Sequence, residues 1–426
     1  MAVSIGLAAP FYAQAHEGKD DRKESNTVLA GNVTDTAAGR EEHHDMNAES
    51  GHRLHPMHSV GEATISGWLL AIAQSTSGTS NDSSQGTMSA DVFYESTLDE
   101  KSKFLVHFDV SQGDQGNLNM PALLAGPNGD PTGVNNDNED FMSSQVQAVE
   151  IYYETMLGDD KWTLTLGEIS PTSYLDANSY ANDEHTQFLG NQFDNNTALE
   201  FGGTANFYGP GLRLTYSPVE WLDVTALSID ANGDYVDMFD KTFQAVEIDL
   251  KPTLLGRPGN YRIYGWRNQQ AHFSNFLTET GGAITDTSDP NYVPITKISD
   301  DNTGVGVSLD QQVSDNVGVW LRWGSQDKNV AQFDQTVSAG LQISGGAFNR
   351  ADDVIGIAYG MTTLSDAYKA TNAALGSDEQ MMEAYYNFAV TKTFTVTPDW
   401  QYITNPGGDT TQDAFSVMGV RAAVMF

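Results

Sequence analysis

From about Gly61 onward the chain alternates apolar and polar residues in segments roughly ten long. In "VEIYYETMLGDDKWTLTLGEIS", residues 149–170, Val149, Ile151 and Tyr153 alternate with Glu150, Tyr152 and Glu154. A Gly158-Asp159-Asp160 turn follows, and then Trp162, Leu164 and Leu166 alternate with Thr163, Thr165 and Gly167. A period of two gives a strand one apolar and one polar face, and the short turn makes the pair a hairpin. Six more hairpins have the same form, with turns near Asp99–Ser102, Pro218–Glu220, Pro252–Asn260, Val313–Asn316, Gly345–Asp352 and Thr391–Thr393. A single strand at 64–74 precedes the seven hairpins and another at 414–426 follows them, so the pattern predicts sixteen strands.

The connections between hairpins are longer and rich in Asn, Asp, Gly, Ser and Thr: 75–86, 113–144, 171–209, 231–241, 269–302, 326–333, 363–379 and 404–413. Short turns alternating with long loops predict an all-β fold, a sixteen-stranded antiparallel transmembrane β-barrel with short periplasmic turns and long external loops. Residues 197–208 also carry a strand-like pattern, but a strand there would make the number odd, and they are assigned to the loop. After the N-terminus no ten consecutive residues are apolar, whereas a spanning α-helix needs about 20. A spanning chain of this kind has to close its sheet, because lipid offers no partner to a backbone N–H or C=O. The last strand, "VMGVRAAVMF", therefore pairs with the first. Its Met418, Val420, Ala422, Val424 and Phe426 share the face expected to meet lipid.

Composition narrows the reading. Fifty-seven carboxylates against 21 lysines and arginines give a net charge of −36, the opposite of a nucleic-acid footprint. The absence of cysteine excludes disulfides, thiolate metal sites and c-type haem attachment. Residues 1–15 end in Ala13-Gln14-Ala15 and read as the remnant of an export signal, although the positive start of such a signal is missing. Residues 16–62 hold six of the nine histidines and few large apolar residues; a flexible periplasmic segment is expected there, with the barrel domain over 63–426.

Several segments are recognisable. "PDWQYITNPGGD", 398–409, resembles a Pro-Asp-x-Gln-Tyr-Ile-x-Asn-Pro-Gly-Gly segment of the carbohydrate-selective porin family. "GVGVSLDQQVSDNVGVWLRWGSQD" and "SAGLQISGGAFNRADDVIGIAYG" resemble the preceding hairpins of that family, and "MEAYYNF" its Glu-x-Tyr-Tyr strand. "SYLDANSYANDEHTQFLGNQF" is similar to its third external loop. The likeness is strongest over 303–426. It implies an outer-membrane porin of a Gram-negative bacterium that passes small sugars by facilitated diffusion, as a monomer or trimer. The terminal aromatic of Phe426 also resembles the signal read by the barrel-assembly machinery.

Alternation sorts lumen from lipid. It turns Arg213, Arg262, Trp266, Trp320, Arg322 and Arg421 inward, opposite the inward carboxylates Glu150, Glu154, Glu247, Asp249 and Glu383. Arg213, Arg262, Arg322 and Arg421 with Glu150 and Glu383 are expected to line the substrate channel, and Trp266 or Trp320 to offer a flat surface to a sugar ring. A wet lumen by itself also draws charges inward, since a charge at the lipid midplane costs about 2–4 kcal/mol. Loops 113–144 and 171–209 are long enough to fold inward and narrow the lumen, the second with Tyr174, Tyr180, Phe188 and Phe193 to pack on the wall. Asp137, Glu139 and Asp140 form either a solvated acidic turn or a hard-cation site. Histidines 43, 44, 52, 55 and 58, with Met46 and Met57, form either a solvated stretch or a weak site for a borderline metal. No cofactor or metal is expected in the barrel. His107 and Asp109 share an inward face, but no serine is placed beside them, so an enzyme is not expected. Two alternatives to the sugar porin stay open: a general or cation-preferring porin drawn by the −36 charge, and a barrel sheathing a periplasmic electron-transfer partner.

Overall fold

The structure, a computed structural model, describes residues 58–60, 63–113, 118, 120–129, 145–200, 208–231, 235, 238–270, 272–273, 298–299, 301–370 and 372–426. Sixteen long strands form the wall. They are β1 (Ala63–Ser77), β2 (Ser84–Thr97), β3 (Ser102–Gly113), β4 (Gln145–Leu157), β5 (Trp162–Ile169), β6 (Gly209–Val219), β7 (Leu222–Asp230) and β8 (Thr242–Leu250). The second half comprises β9 (Arg257–Asn268), β10 (Asn302–Ser314), β11 (Val317–Gln326), β12 (Phe333–Ser344), β13 (Val354–Leu364), β14 (Glu379–Ala389), β15 (Phe394–Thr404) and β16 (Phe415–Met425). Each pairs antiparallel with the next, and β16 pairs with β1 from Trp68↔Met425 to Ser77↔Ser416, which closes the barrel. Beyond β16 the ladder gains one more step: Phe426 N–H donates to Gly67 C=O at 3.0 Å, and Gly67 N–H donates to Phe426 C=O at 2.9 Å. A Cβ on Gly67 would lie 2.7 Å from the Phe426 ring, so the missing side chain makes room for the closing aromatic.

The alternation read from the sequence holds on the wall. Leu212, Ile263, Leu321, Met418 and Val420 are exposed on the outside, whereas Arg213, Arg262, Arg322 and Arg421 are buried inside. β4 breaks the pattern. A β-bulge opposite His107 and Phe108 shifts the register, and Val149, expected on the face of Ile151 and Tyr153, lines an inner cavity instead.

Two other expectations are corrected. The first strand and its partner run further than 64–74, because Ser75 still pairs with Ser84; the connection is 78–83 rather than 75–86. Polar serines and glutamines continue a ladder as well as apolar residues do once the backbone pairing is set. His58–Val60 belongs to the segment expected to be flexible, yet it pairs with Ala63–Ile65. It covers the part of the β1 edge that extends past Phe426, where backbone groups would otherwise lack partners. The rest of the histidine-rich segment, residues 16–57, lies outside the described residues, as do Asp137, Glu139, Asp140 and residues 201–207.

Candidate functional site

Irregular backbone inside a barrel must find partners for its N–H and C=O groups. The inward charges of the wall supply them to the loop between β5 and β6. Arg322 donates to the carbonyls of Phe193 at 2.6 Å and Asp176 at 2.9 Å, and to Asn182 Oδ1 at 3.0 Å. Its Nε lies 2.9 Å from Asp176 Oδ2, and both side chains are fully buried. Arg421 donates to the carbonyls of Glu184 and Gln187. Arg262 donates to the Ala177 carbonyl at 2.7 Å and pairs with Asp310 at 3.0 Å. Carboxylates hold the N–H groups: Glu383 accepts from Leu189 at 2.6 Å and Gly190 at 2.9 Å, Glu247 from Asp176 at 2.8 Å, and Glu150 from Ser170 at 3.3 Å.

Apolar packing fixes the same loop. Trp320 meets Phe188 and Phe193 edge-on, with ring centroids 5.7 and 6.1 Å apart. Trp266 stacks on Phe243 and is buried in a cluster with Tyr264, Leu175 and Leu199. The facing wall carries glycine at the closest approach: a Cβ on Gly318 would lie 2.1 Å from the Tyr180 ring. Part of the preceding long loop is held likewise. Glu379 accepts from the N–H groups of Leu124 and Ala125, and Gln74 and Gln401 both donate to the Pro127 carbonyl.

Two of the cavities that the described residues leave beside the wall bear on this site. One, of about 830 Å³, lies by the short turns and is lined by Glu95, Lys103, Tyr152, Glu154, Tyr174, Arg213, Asp249 and Arg262 among others. Lys103 bridges Glu95 at 3.1 Å and Glu154 at 3.6 Å, and Arg213 pairs with Glu154 at 2.6 Å while its guanidinium lies 4.0 Å from the Tyr174 ring centre. The other, of about 450 Å³, lies toward the long loops. It is lined by Asp91, His107, Asp109, Asp183, Glu184, His185 and Asp194, with no lysine or arginine among its lining residues. Ser173 lines both.

A chain of alternating charges ties the loop to the wall beside the second cavity. Asp91 on β2 is 2.7 Å from His107 Nε2 on β3 and 2.9 Å from His185 Nε2 on the loop. His185 Nδ1 lies 3.0 Å from Asp183 Oδ1, and the imidazole stacks on Trp68 of β1 with centroids 5.1 Å apart. Burial alone would lower the His185 pKa, but the charge of Glu184 and the hydrogen bonds its ring donates to Asp183 and Asp91 outweigh it and hold the group well above the ordinary 6.5.

The expected channel residues thus separate into two groups. Arg213 and Arg262 reach a cavity. Arg322, Arg421, Glu150, Glu383, Trp266 and Trp320 are buried beneath the loops, where they hold backbone or pack on rings. Alternation had marked their inward face correctly but carries no sign of what covers it. Sequence reasoning left Asp91, Phe93, Glu95, Lys103 and His185 unassigned. The consecutive apolar residues of "DVFYES" hide the period there, and His185 lies in a loop where no period exists.

The sequence matches the family described as carbohydrate-selective porin, OprB family, over residues 113–426. Among solved structures, the high-pH structure of Pseudomonas putida OprB is similar with a TM-score of 0.71 at 16% identity, covering 86% of this chain and 94% of that one. The low-pH structure of the same protein gives a TM-score of 0.53 at 14% identity, over 86% and 93%. A loop-deletion form of Vibrio cholerae OmpT gives 0.50 at 11% identity, over 86% and 100%. No curated protein matches the sequence.

Proposed function

Since the chain belongs to the OprB family of carbohydrate-selective porins, we propose that sugars cross this barrel by facilitated diffusion through the two cavities that meet at Ser173. The chain is a channel rather than an enzyme, and porins of this fold belong to the outer membrane of Gram-negative bacteria. One observation carries the finer reading. In the inner cavity, Tyr152 and Tyr174 lie beside Arg213, Glu154 and Lys103. Aromatic rings match the apolar face of a pyranose, and the paired charges donate to and accept from hydroxyls without favouring either ion. In this reading the loop residues 120–129 and 170–200 narrow the lumen. Arg213 and Arg262 meet solute, while Arg322, Arg421, Glu150, Glu383, Trp266 and Trp320 set the width by holding the loops. The outward apolar faces meet lipid, and Phe426 presents the last strand to the assembly machinery.

The lining of the outer cavity favours a second reading, a cation-preferring pore: Asp91, Asp109, Asp183, Glu184 and Asp194 face it with two histidines. Osmotic swelling of liposomes separates the two. Entry of glucose and a disaccharide faster than of similar-sized amino acids supports the sugar porin; rates ordered by size alone, with cation-biased reversal potentials, support the other.

A further inference from the structure

We propose that the inner cavity, by the short turns, takes cationic amino sugars in preference to neutral sugars, with Asp249 receiving the ammonium group. The inference rests on the sugar-porin reading and names the class of sugar. Asp249, on β8, lines the cavity and is 8% exposed. Its Oδ2 lies 3.4 Å from Arg262 Nη2, whereas its Oδ1 is buried with no hydrogen-bond partner among the described residues. Arg262 is turned to the loop instead, donating to the Ala177 carbonyl at 2.7 Å and to Asp310 at 3.0 Å. Asp249 also stands directly opposite Asp223 of β7, and both line the cavity. Like charges in opposed positions of an antiparallel pair repel. Lys251 answers Asp223 at 2.8 Å, which leaves Arg262 as one cation between two carboxylates, Asp249 and Asp310. A buried carboxylate oxygen without a donor is costly, and a donor brought by the solute removes that cost.

Tyr174 gives a second, independent sign of a polar solute. It is 8% exposed, lines the same cavity, and its Oη is buried with no hydrogen-bond partner among the described residues. The Arg213 guanidinium lies 4.0 Å from its ring centre, and Tyr152 stands edge-on to it with ring centres 6.4 Å apart. A sugar hydroxyl both donates and accepts, so it satisfies the phenol, whereas an apolar solute leaves it unpaired. The cavity, of about 830 Å³, has the size of a small-molecule site, about 300–1,000 Å³. Charge then separates the sugars. Nine carboxylates face five lysines and arginines among the described residues lining the inner cavity, and the outer cavity has five carboxylates, two histidines and no lysine or arginine. Clefts with an excess of one sign concentrate solutes of the other. A neutral hydroxyl can also reach Asp249 Oδ1, but an ammonium forms a charge-assisted bond, about twice as strong. An acidic sugar is repelled in both cavities.

The test measures initial uptake of labelled glucose, glucosamine and glucuronate by liposomes holding the full chain, at a pH of about 6, where the amine is protonated. The quantity read is each rate divided by the glucose rate of the same preparation, so differences in the amount of folded channel cancel. Glucosamine is expected to enter at least about threefold faster than glucose, and glucuronate more slowly than both. Asp249→Asn brings the glucosamine ratio close to one. Glu220→Gln removes one carboxylate from an exposed turn of the same cavity and keeps the wild-type ratio. Equal loss of the ratio in the two variants would mean that the overall field, not Asp249, selects the amine, and would overturn the proposal. So would a wild-type ratio that survives in Asp249→Asn. Glucose entry with glucosamine no faster overturns the amino-sugar inference alone. Glucose entry no faster than in protein-free liposomes overturns the sugar-porin reading and this inference with it.

Discussion

Arg322 and Asp176 form an ion pair, 2.9 Å apart, in which neither side chain touches solvent. The pair joins the wall strand β11 to the loop, and Asp176 Oδ1 also accepts from Tyr264 while its Oδ2 accepts from Asn196 N–H. Removing one member leaves a buried charge alone, which costs about 3–5 kcal/mol, whereas removing both is far milder. Arg322→Met is expected to free the loop and raise single-channel conductance in planar bilayers with the β-sheet signal unchanged. The double variant Arg322→Met/Asp176→Asn recovers most of the wild-type conductance.

Glu383 is a similar anchor for two backbone donors, Leu189 and Gly190. Glu383→Ala orphans both N–H groups at about 1–3 kcal/mol each. Hydrogen exchange at these two amides accelerates in the variant, while amides of the wall strands keep their protection.

A side chain at Gly318 has no room, because its Cβ would meet the Tyr180 ring. Gly318→Val is expected to weaken the seating of the loop by about 1–3 kcal/mol through overpacking. Adding Tyr180→Ala restores it, read by protease resistance of the loop.

Much of this arrangement was legible beforehand. The two-residue period gave the strand number, the turns and the inward face of every arginine singled out, because lipid and lumen demand opposite polarity at neighbouring positions. Burial of Arg322 and Arg421 was not legible. Their partners are backbone carbonyls of Phe193, Asp176, Glu184 and Gln187, and a carbonyl has no signature in sequence. The bulge at Val149 escaped for a related reason, since an extra residue in a ladder shows only when both strands are seen together.

Acidity and alkalinity act on the loop through His185. Its carboxylate neighbours are Asp91 on β2 and Asp183 and Glu184 on the loop, and Trp68 on β1 covers one face. The folded state raises its pKa, so the stabilisation is complete below the ordinary value of 6.5 and is lost as pH rises through the raised value. Conductance is expected to stay level up to neutral pH and to increase on the alkaline side. His185→Gln removes that increase.

Glu154 sits between Lys103 and Arg213 in the inner cavity. Glu154→Gln leaves Arg213 without its carboxylate, while Lys103 keeps Glu95, and is expected to shift the reversal potential in a KCl gradient toward anions. The shift shrinks near 1 M salt, where screening acts within about 3 Å.

The exchange of hydrogen bonds between Gly67 and Phe426 sets an order of events. Fifteen of the wall pairings join neighbours in sequence, whereas β1 with β16 joins the two ends. A contact of that span carries the largest loop-closure entropy in the molecule, and folding slows with such separations. Until it forms, β1 and β16 each present a row of unpaired N–H and C=O groups that hydrocarbon does not tolerate. Completing the sheet in hydrocarbon therefore requires β1 and β16 together, and only the pairing of Trp68–Ser77 with Ser416–Met425 removes the open seam.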